Sequence, residues 1–300
     1  MGKDDPVEYV DRRTGRRTVE TVMGDRALRF AYRTLAGRLL WPLLFGGRTV
    51  SAMLGRKFDS PSSAKKIPAL ASLPGCNPGE AEKPVPEYAT FNEFFTRRLK
   101  PGARPVGDGV TSPADGRISL HLGADAGAPF PLKGAKRALR DVFAPSAPPG
   151  AAGGLFDIAV VRLAPVDYHR FHFPCDCSTP EPPVAVPGTY HSVNPLAVAL
   201  RPDVYAMNER QILRCETAFG DLWLVEVGAF GVGTICQTFS GPKHAKGEEK
   251  GYFKFGGSTV IMATRAGALE FDADIAANSA QGLETKVLCG ERIAVPAARK

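Results

Sequence analysis

The sequence predicts an α+β protein in which a β-rich body is entered through amphipathic helices. Helical periodicity is concentrated before residue 100. After it come short segments rich in β-branched and aromatic residues, each bounded by Gly or Pro. A chain of 300 residues, 44% of them hydrophobic, can bury a large core, which excludes wholesale disorder. With 32 Gly and 26 Pro it is rich in turns but not of low complexity.

Residues 1–59 read as a basic, helical, surface-docking segment. Over 25–41, Leu28, Tyr32, Leu35 and Leu39 recur at spacings of four, three and four, while Arg26, Arg29 and Arg33 fall on the opposite face. Pro42 should break or kink the helix, and Leu43 to Phe45 continue its apolar character. Two readings fit equally. One is an in-plane membrane helix with Trp41 and Phe45 at headgroup level and arginines on anionic lipid; the other is a helix packing its leucines on the body. Residues 60–87 hold six prolines and little periodicity, and read as a linker or strap. The body, 88–300, opens with a short helix in 88–100 whose Phe91, Phe94 and Phe95 point inward. Strands are expected over 117–122, 156–163, 168–174, 221–231 and 258–264, and a surface loop over 145–154.

Charge divides the chain the same way. The net charge is +7; residues 1–66 carry fourteen Lys/Arg and seven Asp/Glu, and the remainder carries twenty-four of each. The basic segment therefore calls for a partner while the body is neutral. The uncharged stretch Leu39 to Gly47 is far shorter than the ~20 residues of a spanning helix. The first apolar cluster is interrupted by arginines, unlike a secretory signal. Gly2 is followed by Pro6 where myristoylation wants Ser or Thr. Six cysteines without C-x-x-C spacing read as reduced thiols in a cytosol-like compartment, and Cys175-x-Cys177 is too close for a zinc knuckle by itself. A nucleic-acid role is not expected, because the basic residues sit on a leucine-rich helix without aromatic stacking platforms.

Three segments carry reactive groups. Ser112-Pro-Ala-Asp-Gly116 presents an acid on a tight turn, although such turns are common for purely structural reasons. Asp167-Tyr-His-Arg-Phe-His-Phe173 holds His169 and His172. On a strand these face opposite sides unless a bend intervenes; on a helix they share a face, but no further metal ligand has matching spacing. Beside Arg and Asp, they suit proton transfer near neutral pH or a structural role. In Lys246–Val260, Gly256 and Gly257 precede Ser258 at the head of an apolar run. A Gly-Ser bond in a strained turn is open to attack by the hydroxyl on the preceding carbonyl, since glycine has no Cβ to shield it.

Together the three segments resemble the phosphatidylserine decarboxylase family, bacterial-type branch. That family carries an S-P-x-D-G turn, a D-Y-H-R-x-H-x-P segment and a G-S-(T/S) self-cleavage site after K-G-E-E-x-G-Y-F, in this order. Further matches run from Phe91 to Arg104, then Ser192-Val-Asn-Pro195, Asn208-Glu-Arg210, Glu284-Thr285 and Gly290-Glu291, with Tyr9 to Gly15 near the start. One local departure is Phe-Gly-Gly before Ser258, where many members have Leu-Gly or Phe-Gly. The family's body is β-rich with N-terminal helices, so the resemblance, together with the strand-heavy reading, implies a mostly antiparallel core.

The resemblance implies a Ser-His-Asp arrangement of Ser258, His172 and Asp115 that acts first on its own chain. Asp115 orients the imidazole, His172 takes the Ser258 proton, and the oxygen attacks the Gly257 carbonyl to give an ester. Elimination cuts the chain between Gly257 and Ser258, and loss of ammonia leaves a pyruvoyl group at the head of 258–300, which stays associated with 1–257. The pyruvoyl ketone would form a Schiff base with phosphatidylserine and accept the electrons released with carbon dioxide, giving phosphatidylethanolamine. His169 is the first candidate to protonate the product carbon, with His172 a second. No metal is implied, a homodimer is the assembly the family favours, and the basic segment would hold the enzyme on the cytoplasmic face of the cell membrane, on an anionic surface. Two alternatives are a pyruvoyl decarboxylase of a soluble amino acid, which needs no membrane dock, and an inactive lipid-binding relative, which needs no intact Asp115, His172 and Ser258.

Overall fold

A computed structural model describes residues 7–20, 25–45, 48–132, 135–144, 154–230, 234–256 and 258–298. Three apolar runs, Leu155–Leu163, Gly220–Gly228 and Ser258–Arg265, lie side by side and antiparallel in an eleven-stranded sheet, with Ser258–Arg265 between the other two. Successive side chains point to opposite faces. Val260 and Met262 therefore join Val161, Leu163, Leu222 and Leu224 in one core, while Ile261 and Ala263 join Val160, Trp223 and Val225 in a second. Because both faces are covered, these strands are buried almost continuously and show no polar alternation.

Outward on one side follow Gly116–Asp125 and Glu284–Val287, then Glu8–Asp11, which pairs in parallel, and Arg16–Val19. On the other side follow Arg210–Thr217, Cys177–Ser178 and Lys243–His244, with Val184–Val186 also on Arg210–Thr217. Two three-stranded antiparallel sheets complete the body; one joins Ile235–Gln237, Glu249–Phe253 and Arg170–His172. The expected α+β class with a mostly antiparallel core is what the chain adopts.

The expected strands 117–122, 156–163 and 258–264 match to within a few residues, and 221–231 is strand over Gly220–Gly228, its last residue lying outside the described ones. The expected strand 168–174 shrinks to Arg170–His172, because Pro165 to Asp167 form a turn and His169 precedes the ladder. The expected loop 145–154 lies outside the described residues except for Gly154. Helices also occur beyond residue 100, at Leu139–Phe143, Pro195–Leu200, Val204–Met207 and Ala273–Ala280.

The single helix expected over 25–41 is instead α1 (Asp25–Arg33) and α2 (Leu35–Leu39), followed by α3 (Trp41–Phe45) and α4 (Arg48–Phe58). Thr34 ends α1 and caps α2 by accepting from Gly37 N. The chain folds back so tightly that a Cβ on Gly37 would lie 2.2 Å from the Phe30 carbonyl oxygen. Pro42 occupies the first turn of α3, where its missing N–H costs nothing. The predicted apolar face is thereby split: Tyr32 is buried, while Leu35 and Leu39 are 76% and 73% exposed.

Residues 60–87 are packed rather than strung out. The 3-10 turn Pro61–Lys66, α5 (Ile67–Ala71) and two further 3-10 turns place Ile67, Leu70 and Ala81 in a third core with Phe58 and with Phe91, Phe94 and Phe95 of α6 (Phe91–Phe95). The six prolines set turns here; they do not keep the segment open.

Candidate active site

Asp115 lies in the turn between Val110–Thr111 and Gly116–Asp125, tightened by Ser112 Oγ donating to the Ala114 carbonyl at 2.7 Å. Its carboxylate is buried and held from two directions. Arg104 donates through Nε at 2.8 Å and Nη2 at 2.6 Å, and the Cys289 amide donates at 2.8 Å. Arg104 also pairs with Glu80 at 2.9 Å, so its guanidinium pKa is raised despite burial, which alone would lower it.

His172 sits at the end of Arg170–His172. Its Nδ1 lies 2.9 Å from the Gly247 carbonyl, which can only accept, so Nδ1 carries the proton and Nε2 bears the lone pair. The Tyr168 hydroxyl donates to that lone pair at 3.1 Å. Burial lowers the His172 pKa, opposed by the Gly247 carbonyl, Glu249 and Asp115.

His169 is fully buried, its ring tilted against that of Phe95 with centroids 3.8 Å apart. Its Nδ1 donates to the Asp167 carbonyl at 2.9 Å, and its Nε2 has no partner among the described residues. Burial drives its pKa down to about 3, against the pull of Asp167, so the ring is a neutral base with a free lone pair. The residues that grip this segment come from the end of α6: Phe95 covers the ring, the Thr96 carbonyl accepts from Arg170, and Arg97 donates to the carbonyls of Val166 and Asp167.

Ser258 heads the central strand, opposite Gly228 and Leu163. It is fully buried, and its Oγ has no hydrogen-bond partner among the described residues. Such an orphaned hydroxyl is uncommon in a native interior and asks for an explanation. Gly257, the other half of the expected cleavage site, lies outside the described residues.

The expected Asp115–His172–Ser258 arrangement is thus gathered in parts. Asp115 is near enough to His172 to act on its charge, but its hydrogen bonds go to Arg104 and Cys289, and those of His172 go to Tyr168 and Gly247. Two adjoining cavities meet at the site, of about 490 Å³ with His172 in its wall and about 420 Å³ with Asp115 in its wall; Arg104 and Tyr168 line both. Local sequence pattern assigns no role to Arg104, Tyr168, Arg97 or Gly247. Arg104 and Arg97 fell within the Phe91–Arg104 run of the resemblance, but no spacing connects them to their partners. Among the described residues no group of three or more His, Cys, Asp and Glu could hold a metal.

The chain matches the family model described as phosphatidylserine decarboxylase over residues 91–295. It belongs to the phosphatidylserine decarboxylase family. Among curated proteins it is similar to the phosphatidylserine decarboxylase proenzyme of Ruminiclostridium cellulolyticum, 37% identical over 96% of this chain and 97% of that one. It is also similar to the proenzyme of Fusobacterium nucleatum subsp. nucleatum, 36% identical over 95% and 96%, and to that of Chlamydia caviae, 35% identical over 96% and 97%. The phosphatidylserine decarboxylase match spans Asp115, His169, His172 and Ser258.

Of the side chains expected at a membrane, Phe45 is instead buried, stacked with Tyr32 and in edge contact with Phe230. Trp41 is half-buried, donating to the Ala31 carbonyl with Arg201 over its ring. Arg29 and Arg33 are partly buried, and the Arg26 side chain lies outside the described ones. The apolar groups that do face outward are Phe30, Leu35, Leu39, Leu40 and Leu43, 41–76% exposed. Among the described residues no helix is long and apolar enough to cross a membrane.

Proposed function

We propose that the protein is a self-cleaving phosphatidylserine decarboxylase whose cofactor is a pyruvoyl group made from Ser258. The observation that carries this is the Ser258 hydroxyl, fully buried and without a hydrogen-bond partner among the described residues at the head of a central strand, in a member of a family whose curated relatives are named proenzymes. The fit is chemical: converting Ser258 to a ketone removes a donor that the interior leaves unpaired.

His172 serves as the base. Its proton is fixed on Nδ1 by Gly247, so the lone pair at Nε2 can receive the Ser258 proton once the Tyr168 hydroxyl yields it. The Asp115 charge favours the imidazolium that results, and Arg104 moderates that charge by pairing with it. After cleavage between Gly257 and Ser258 the fragments stay together, because Ser258–Arg265 is hydrogen-bonded on both edges to strands of 1–257.

The pyruvoyl carbonyl supplies the electron sink for decarboxylation of the serine headgroup. Replacing the lost carboxylate by hydrogen consumes one proton from solvent; His169, neutral with Nε2 free among the described residues, would take up that proton and deliver it to the product carbon, with Phe95 packed on its ring. Phe30, Leu35, Leu39, Leu40 and Leu43 give the α1–α3 hairpin an apolar edge, and with the excess arginine of residues 1–66 they suit peripheral attachment to the cytoplasmic face of the cell membrane, on an anionic surface. A homodimer is the expected assembly.

The direct test is turnover. Purified protein given phosphatidylserine vesicles should release one carbon dioxide per phosphatidylethanolamine formed, and leave free serine untouched. Fully cleaved protein that converts no phosphatidylserine would refute the reading.

A further inference from the structure

Among the described residues, Arg97 is a guanidinium with no acid to pair with. It is 4% exposed, and among the described residues no carboxylate oxygen comes within the 4.0 Å of an ion pair. Its partners are neutral and distant: the carbonyls of Phe94, Val166 and Asp167 at 3.2–3.4 Å, the Cys76 sulfur at 4.0 Å and the face of Phe94. Its Nε has no hydrogen bond among the described residues. A buried cation without a counter-ion costs several kcal/mol, which makes such a group a place where an anion is missing.

The surroundings repeat the pattern. Arg97 lines the cavity of about 420 Å³ together with Arg117 and Lys286. Arg117 is 3% exposed, and its Nε has no hydrogen bond among the described residues, only an ion-pair contact with Glu20 at 3.8 Å. Among the described residues the Lys286 ammonium has one ion pair, with Asp167 at 3.9 Å. The cavity wall has five acids as well, and each is already engaged: Asp115 and Glu80 by Arg104, Glu20 by Arg162, Asp167 by Arg117, and Asp11 by Arg13. These acids balance the wall's five cations, Arg13, Arg97, Arg104, Arg117 and Lys286, and among the described residues Arg97 is the one of them without an ion-pair partner. Backbone geometry leaves room: Gly75, at φ +91°, borders the cavity, and a Cβ there would touch Lys286 Nζ.

We infer that this cavity is an oxyanion site, in which a phosphate or carboxylate group is held by Arg97 with Arg117 and Lys286. Its place gives it a role. The Asp167 carbonyl accepts from both Arg97 and His169 Nδ1, so an anion on Arg97 lies one residue from the histidine proposed to handle the product proton. Phosphate chemistry is shared by the lipid headgroup and by free inorganic phosphate.

The site can be tested without relying on the decarboxylase reading. Full-length Ser258→Ala protein is titrated with inorganic phosphate while iodoacetamide labelling of Cys76, which lines the cavity, is followed by mass spectrometry, with Cys236 as the internal control. Saturable protection of Cys76 alone is expected, with a dissociation constant of about 1 mM or tighter, weakened at least ~10-fold in Arg97→Met by loss of charged hydrogen bonds. Arg97→Lys keeps the charge and should retain part of the protection. Absence of protection, or protection equal in Arg97→Met, means the cavity holds water only and overturns the inference. A second arm, which rests on the proposed activity, separates the sources. If phosphate raises KM for phosphatidylserine and leaves kcat unchanged, the site takes the headgroup; if it lowers kcat, the site takes the free anion.

Discussion

Arg104 grips the Asp115 carboxylate through two parallel hydrogen bonds, at 2.8 and 2.6 Å, inside the protein. The acid that the proposed chemistry needs beside His172 is therefore stabilised by a cation rather than by the imidazole. Removing the cation leaves a buried carboxylate with only the Cys289 amide. Arg104→Met should cost about 3 kcal/mol or more in urea unfolding, and Arg104→Lys should recover only part of it, because an ammonium cannot make the planar two-point contact. Equal stability of Arg104→Met and wild type would contradict the assigned geometry.

Acid should loosen the protein through His169. Its pKa falls from 6.5 to about 3 on burial, so below pH 6.5 the unfolded chain binds a proton that the folded chain refuses. The contribution to stability is complete above pH 6.5 and is lost progressively as pH falls toward 3. Thermal unfolding followed from pH 7 to pH 4 should show a falling Tm, and the fall should be shallower in His169→Gln. Parallel curves for the two proteins would show that His169 is not held neutral.

The rate of self-cleavage should carry the signature of a base whose pKa is lowered. Burial lowers the His172 pKa, so the rate of precursor processing should fall to half its maximum at a pH below the usual histidine value rather than at it. A half-maximal rate above pH 7 would exclude the neutral His172 described by its contacts with Gly247 and Tyr168.

Apolar residues of the N-terminal helices divide by direction. Replacing Leu35, Leu39 and Leu43 together with Asp should abolish flotation with anionic vesicles while leaving Tm nearly unchanged, since all three are exposed. Phe45→Ala should do the reverse in kind, costing about 3–5 kcal/mol of stability because its ring is buried. Flotation that persists in the triple variant would remove the hairpin from the docking surface.

Long apolar strands were legible because both of their faces are buried and their runs end at Gly or Pro, as at Gly220–Gly228 and Ser258–Arg265. What the local pattern could not convey was direction. Periodicity placed Tyr32 and Leu35 on one face of one helix; the Thr34 cap and the close approach at Gly37 turned the chain and sent one inward and the other outward. The short helix Pro195–Leu200 announced itself by Asn194 as cap and Pro at its first turn, a signal overlooked among strand patterns. Asp115, His169, His172 and Ser258 could be named from their motifs. Of the partners that set their state, Tyr168 and Arg104 lie 4 and 11 residues away, but Arg97 and Gly247 lie 70 and 75 residues away and only the tertiary fold brings them in.

The central claim is that Ser258 becomes the cofactor by cutting its own chain. Intact-mass measurement of purified, denatured protein tests it most directly. Wild type should give two chains, one ending at Gly257 and one of 43 residues beginning at the former Ser258 with a blocked amino terminus, whereas Ser258→Ala gives one chain of 300 residues. A folded wild-type protein that yields only the 300-residue chain would contradict the account.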